Sequence, residues 1–155
     1  MSYLVVKWLH VLSSTVLLGT GAGIAYFFVR ARALGDVRVI AAVSRDVVRA
    51  DFLFTAIAVV IQPLTGFWLM HRLGYPVGLP WIRSSLVVFV LVGGCWLPVV
   101  WLQLRMRDLA VAAHESGMPL PEQFHRCFKW WFALGWPGFT GVLLIFWMMV
   151  SKWGW

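Results

Sequence analysis

Charge is what this chain has least of, and acidic charge least of all. Only 12% of its 155 residues are charged, and Asp and Glu together number 6. A soluble domain carries about 25% charged residues. The shortfall excludes an ordinary soluble fold, and with 61% hydrophobic residues it excludes disorder as well. No acid falls deep inside an apolar run, which argues against a proton-coupled transporter. There are 2 cysteines, Cys95 and Cys127. One lies inside an apolar run and the other at the polar edge of another, so a disulfide between them is not expected. P-loop, HExxH and CxxC spacings are missing, and so is a Ser-His-Asp order.

Long apolar runs are what the chain does have. A membrane-spanning helix needs about 20 mainly apolar residues. Four stretches qualify: Tyr3 to Val29, Phe52 to Met70, Ser84 to Leu104 and Trp130 to Val150. With no water at the bilayer core each must satisfy its own backbone, so helices are expected. The first run extends well past signal-peptide length and no Lys or Arg precedes Lys7, so it reads as a retained span. The expected fold is an all-α membrane protein, a single antiparallel bundle of four transmembrane helices over residues 1–155.

The formal charge of +7 comes from 13 Lys and Arg. In a soluble protein it would suggest nucleic acid. Here the basic residues flank the spans, so topology and lipid headgroups explain them and no nucleic acid is expected. Arg30, Arg32, Arg38, Arg45 and Arg49 lie in the first connection, and Arg105, Arg107, Arg126 and Lys129 in the third. The second holds Arg72 and Arg83. The positive-inside rule therefore places the first and third connections in the cytoplasm and both termini outside. In a bacterium that is the inner membrane.

The two basic connections also carry helix signals. Gly35 suits a left-handed cap and Asp36 a helix start. The apolar residues Val39, Ile40, Val43, Val47 and Val48 then give an amphipathic helix that runs on into the second span. The third helix is expected to continue to Gly117, and Pro119, Pro121 and Glu122 to restart the chain. Helices two to four should therefore extend into the cytoplasm. Trp68, Trp81, Trp153 and Trp155 fall near the outer interface, and Trp101, Trp130 and Trp131 near the inner one, as in an aromatic belt. Trp96 and Trp136 are deeper.

Polar groups inside the spans are functional candidates, because burying them in lipid is costly. His10 sits about two turns into helix one, one turn after Lys7 on the same face. An imidazole there suits an axial bond to haem iron. His71, at the outer end of helix two, is the other histidine on that side. Lys7 is the alternative ligand, or a partner for a propionate. The competing reading is a histidine hydrogen-bonded across the bundle. Gly19 and Gly23 form a small-xxx-small face for close helix packing or for a flat macrocycle. Gln62 stands beside Pro63, and Pro63, Pro98 and Pro137 interrupt three helices. Asp51 reads as the acid of an ion-pair cluster with Arg30, Arg45 or Arg49. His114 and His125 read as solvated helix ends.

Several local motifs form a pattern: Lys7-Trp8-Leu9-His10 with Gly19-Thr20-Gly21, Asp51-Phe52, Gln62-Pro63-Leu64-Thr65-Gly66, Trp96-Leu97-Pro98 and Phe132-Ala133-Leu134-Gly135. Over essentially the whole chain it resembles a bacterial family of integral membrane proteins, domain of unknown function 2269. That family name implies no activity. The Lys-x-x-His and the glycines of helix one are also similar to those of the membrane protoporphyrinogen oxidase, copper-resistance inner-membrane proteins and other b-type membrane cytochromes. Only Lys7, His10 and Gly19 carry over. Tyr26 and Arg30 do not fall at the spacings of that oxidase's first helix. The resemblance implies haem b with His10 as its first ligand and Lys7 nearby, His71 being the second candidate by its position alone, and an electron-transfer role with a quinone or porphyrinogen as redox partner. The other expected partners are the lipid bilayer and a second copy of the chain. The alternative is an assembly factor, accessory subunit or small-solute carrier without haem.

Overall fold

A computed structural model describes residues 2–153, and these are helical throughout apart from short connections. The elements are α1 (Ser2–Leu34), α2 (Val37–Ala50), a π-helical turn (Asp51–Thr55), α3 (Ala56–Leu73), α4 (Pro80–Glu115) and α5 (Glu122–Ser151). Because α2 passes through the π-turn into α3 without a break, four rods result, each long and apolar enough to cross a membrane. At about 1.5 Å per residue, the 37-residue rod Val37–Leu73 and the 36-residue α4 far exceed a hydrocarbon core of about 30 Å. The expected all-α, four-span architecture is therefore observed. Trp155 lies outside the described residues.

Local chemistry sets the ends of the rods. Gly35 takes φ +73°, a conformation that costs glycine little. The Asp36 carboxylate then accepts the backbone N–H groups of Arg38 and Val39 at 2.8 and 3.3 Å, capping α2. Gly117 closes α4 at φ +65°. Its N–H donates to His114 O and that of Met118 to Ala113 O, a Schellman pair. Gly74, with Tyr75, closes α3 in the same way. Pro80 opens α4 at a position where its missing N–H is no loss.

The rods pack unevenly. α1 lies along α3, α4 along α5, and α2 against α4. The shared core sits at the end carrying the Gly35 and Ser116–Pro121 connections, called here the basic end. Phe28 is its centre, fully buried and edge-on to Phe128 at 5.6 Å and Trp131 at 5.2 Å. Ile40, Ala41 and Val47 of α2 and Met106 and Ala110 of α4 close around it. Towards the other end, the hairpin end, the fold resolves into two helix pairs. Ser13 and Ala58 are buried between α1 and α3, and Ile82, Ser85 and Met148 between α4 and α5. Elsewhere the spans turn large apolar side chains outward, Leu64 being 66% and Val150 80% exposed. This inverts a soluble protein and suits lipid as the solvent.

The tryptophans divide differently from the expected belt. Trp101 and Trp130 are exposed, as anchors should be, but Trp81 and Trp131 are each only 5% exposed and pack inside. Trp136 faces outward and Trp96 is half-buried.

Candidate functional site

Within the spans, His10 is the focus of a polar cluster joining α1 to α3. Its Nδ1 lies 2.8 Å from Thr65 Oγ1. The Thr65 hydroxyl also lies 2.7 Å from the Ile61 carbonyl, to which it donates. Having spent its one proton there, it accepts from Nδ1–H of His10. That tautomer leaves the lone pair on Nε2, and no hydrogen bond engages Nε2 among the described residues. Gln62 holds the backbone of the same residue: its Nε2 donates to His10 O at 2.8 Å and to Ser13 Oγ at 3.0 Å. Ser13 donates in turn to His10 O at 3.1 Å. Gly66 completes the seat, since a Cβ added there would stand 3.3 Å from His10 Cε1.

The Gln62-Pro63-Leu64-Thr65-Gly66 motif thus receives His10. Gln62, Thr65 and Gly66 are three and four residues apart, so one face of α3 presents all three. Sequence reasoning singled out Gln62 and missed the parts of Thr65, Ser13 and Gly66. The available signal was that i, i+3, i+4 spacing in an otherwise apolar helix.

His71 and His10 are not brought together. His71 is exposed and lies five residues beyond Gly66, about 7.5 Å farther towards the hairpin end. Lys7 is exposed, with its ammonium 5.9 Å from the centre of the Tyr3 ring. Among the described residues no cluster of three or more His, Cys, Asp or Glu side chains is placed to hold a metal ion. A Cβ at Gly19, Gly21 or Gly23 would meet nothing within 4 Å, so among the described residues no neighbouring helix packs closely on that small-residue face. Pro63, Pro98 and Pro137 all lie inside continuous helices.

A second cluster surrounds Asp51, and here the structure corrects the expected ion pairs. Asp51 is 4% exposed. Trp96 Nε1–H points at its two oxygens, at 3.2 and 3.4 Å. With its amide turned to satisfy both neighbours, Gln103 donates to Asp51 Oδ2 at 3.0 Å and accepts from Trp131 Nε1 at 3.3 Å. Arg49 pairs instead with Asp46 at 3.4 Å, in water, and Arg45 turns back to the Ala41 carbonyl. Long basic side chains at a helix end reach outward for solvent, which separates them from a carboxyl facing the bundle.

Four long apolar rods with polar side chains turned to one another inside them define a polytopic integral membrane protein. The chain matches the family described as predicted integral membrane protein, DUF2269, over residues 4–153, and it belongs to that family. No curated protein and no solved structure matches it.

Proposed function

We propose that this is a b-type haem protein that exchanges electrons within the bacterial inner membrane. One observation carries the reading: Thr65 holds Nδ1 of His10 at 2.8 Å and so presents Nε2. Metal-ligating histidines are oriented in this way, the second ring nitrogen donating to a fixed oxygen. Of the two histidines His10 would be the one to hold such a group, because His71 is exposed and stands farther out. His10 Nε2 would be the atom that holds the iron. Lys7, one turn nearer the hairpin end, suits a propionate. Bound haem would supply one-electron exchange, with a quinone or a porphyrinogen as the class of partner. The basic connections face the cytoplasm on this reading, by the positive-inside rule.

The test is an absorption spectrum of the purified protein in detergent, oxidised and then reduced with dithionite. The expected result is a sharp reduced α-band that His10→Ala abolishes and His71→Ala retains. A featureless spectrum, with no cofactor regained on adding haem, overturns the reading. It would leave a carrier, accessory or assembly role. The apolar groove of about 190 Å³ that includes Leu9, Leu12, Phe54 and Ile57 would be the place to look for a bound chain.

A further inference from the structure

Asp51 opens the π-turn where the basic-end helix α2 becomes the span α3. The groups that face it are all neutral. From α4 come the Trp96 indole and the Gln103 amide. From α5 comes the Trp131 indole, behind Gln103. On its own helix Thr55 follows one turn later. α1 and α2 also pack against the turn, but they give Asp51 neither a side-chain hydrogen bond nor an ion pair among the described residues. Over those residues the ion pairs within 4.0 Å are Arg49–Asp46 and Arg107–Asp108. A lone carboxylate charge taken out of water without a counter-charge is costly.

Thr55 supplies the second observation. It is 8% exposed, and its buried hydroxyl makes no hydrogen bond of good geometry, the Asp51 carboxyl being the side chain that it faces. Thr65, by contrast, donates to the carbonyl four residues back. The equivalent carbonyl for Thr55 is that of Asp51, which in the π register accepts the Ala56 N–H and receives no hydrogen bond from the Thr55 hydroxyl. An idle buried oxygen therefore stands one turn from a carboxyl with no counter-charge. π-turns of this kind recur at functional sites.

We propose that Asp51 is a proton-binding site, its carboxyl holding an exchangeable proton that it donates to Thr55 Oγ1. Trp96 and Gln103 donate to the carboxyl, and the carboxyl O–H donates to Thr55, so both carboxyl oxygens and the Thr55 oxygen are engaged. On release the proton passes to water at the basic end and leaves a carboxylate. A metal cation suits the site less well, because Trp96 and Gln103 turn N–H groups towards the carboxyl and the Gln103 oxygen faces Trp131. The proposal does not depend on haem at His10.

Infrared difference spectra of the full chain in lipid nanodiscs, recorded across a pH series, test it. The expected result is a C=O stretch of a hydrogen-bonded carboxylic acid at neutral pH that shifts in D2O and is lost in Asp51→Asn. Thr55→Val keeps the acid and removes its acceptor, so the band should persist and move to higher frequency. That second variant serves even if Asp51→Asn does not fold. Absence of any acid band at neutral pH overturns the proposal, as does a band unmoved in both variants. A carboxylate band that responds to Na+ or K+ at fixed pH also overturns it and assigns the site to a metal cation.

Discussion

At the scale of single residues, the His10 seat turns on contacts too short to be lost quietly. Hydrogen bonds between membrane helices average about 0.6 kcal/mol and reach about 1.7. Thr65→Val removes one such bond and leaves Nδ1 of His10 unpaired, so a loss of about 0.5–2 kcal/mol is expected. Gln62→Leu removes two donations and should cost at least as much. Unfolding of the purified variants in mixed micelles measures both. The two glycine classes give a sharper contrast. At Gly66 a methyl would meet His10 Cε1 at 3.3 Å, forcing the ring away from Thr65. At Gly23 it would meet nothing within 4 Å, and alanine is the better helix former by about 1 kcal/mol. Gly66→Ala should therefore destabilise and Gly23→Ala should not, a difference of sign that the same unfolding experiment reads. The sequence made the polar residues of α3 visible as exceptions in an apolar run. It did not show their partners, because His10 and Thr65 are brought together by the folding of α1 onto α3.

At the scale of helices, what is local was legible and what is long-range was not. Gly35, Asp36, Gly117, Pro119 and Pro121 mark helix ends by backbone preference and capping, which need no knowledge of the tertiary fold. The structure ends and restarts its helices at these positions. Asp36→Ala should accordingly cost about 0.5–2 kcal/mol, with fraying confined to the start of α2 in amide exchange. The π-turn carries no comparable local signal. Its Asp51 answers to Trp96 and Gln103 on α4, while Arg45 and Arg49, which suggested ion pairs, turn to the Ala41 carbonyl and to Asp46. The α4–α5 contact is equally invisible in sequence. A Cβ at Gly141 would overlap the Val92 Cγ2 methyl, and a β-branched side chain has few rotamers into which to retreat. Gly141→Ala should cost about 1–3 kcal/mol through overpacking, more than Gly135→Ala on the same helix, where the added methyl meets nothing within 4 Å.

At the scale of the whole molecule, the four-span topology follows from run length and from the basic flanks, but the distribution of stability along the rods does not. Hydropathy treats every apolar residue of a span alike. The structure separates them: the basic end gathers Phe28, Phe124, Met106 and Ile40 into one buried core, whereas the hairpin-end halves are two pairs with lipid-facing sides. Lipid tails are as apolar as leucine, so an outward-facing leucine gains little from folding. A buried aromatic fixed among other rings loses both contacts and volume when truncated. Phe28 touches Phe124, Phe128 and Trp131 edge-on, so Phe28→Ala should cost about 3–5 kcal/mol. Leu64→Ala, at a position 66% exposed, should fall within about 0.5 kcal/mol of the parent. Reversible unfolding of both variants at one detergent composition decides the matter. Equal losses at the two positions would mean that the hairpin-end halves carry as much of the folding energy as the core. That result would contradict a molecule held together at its basic end.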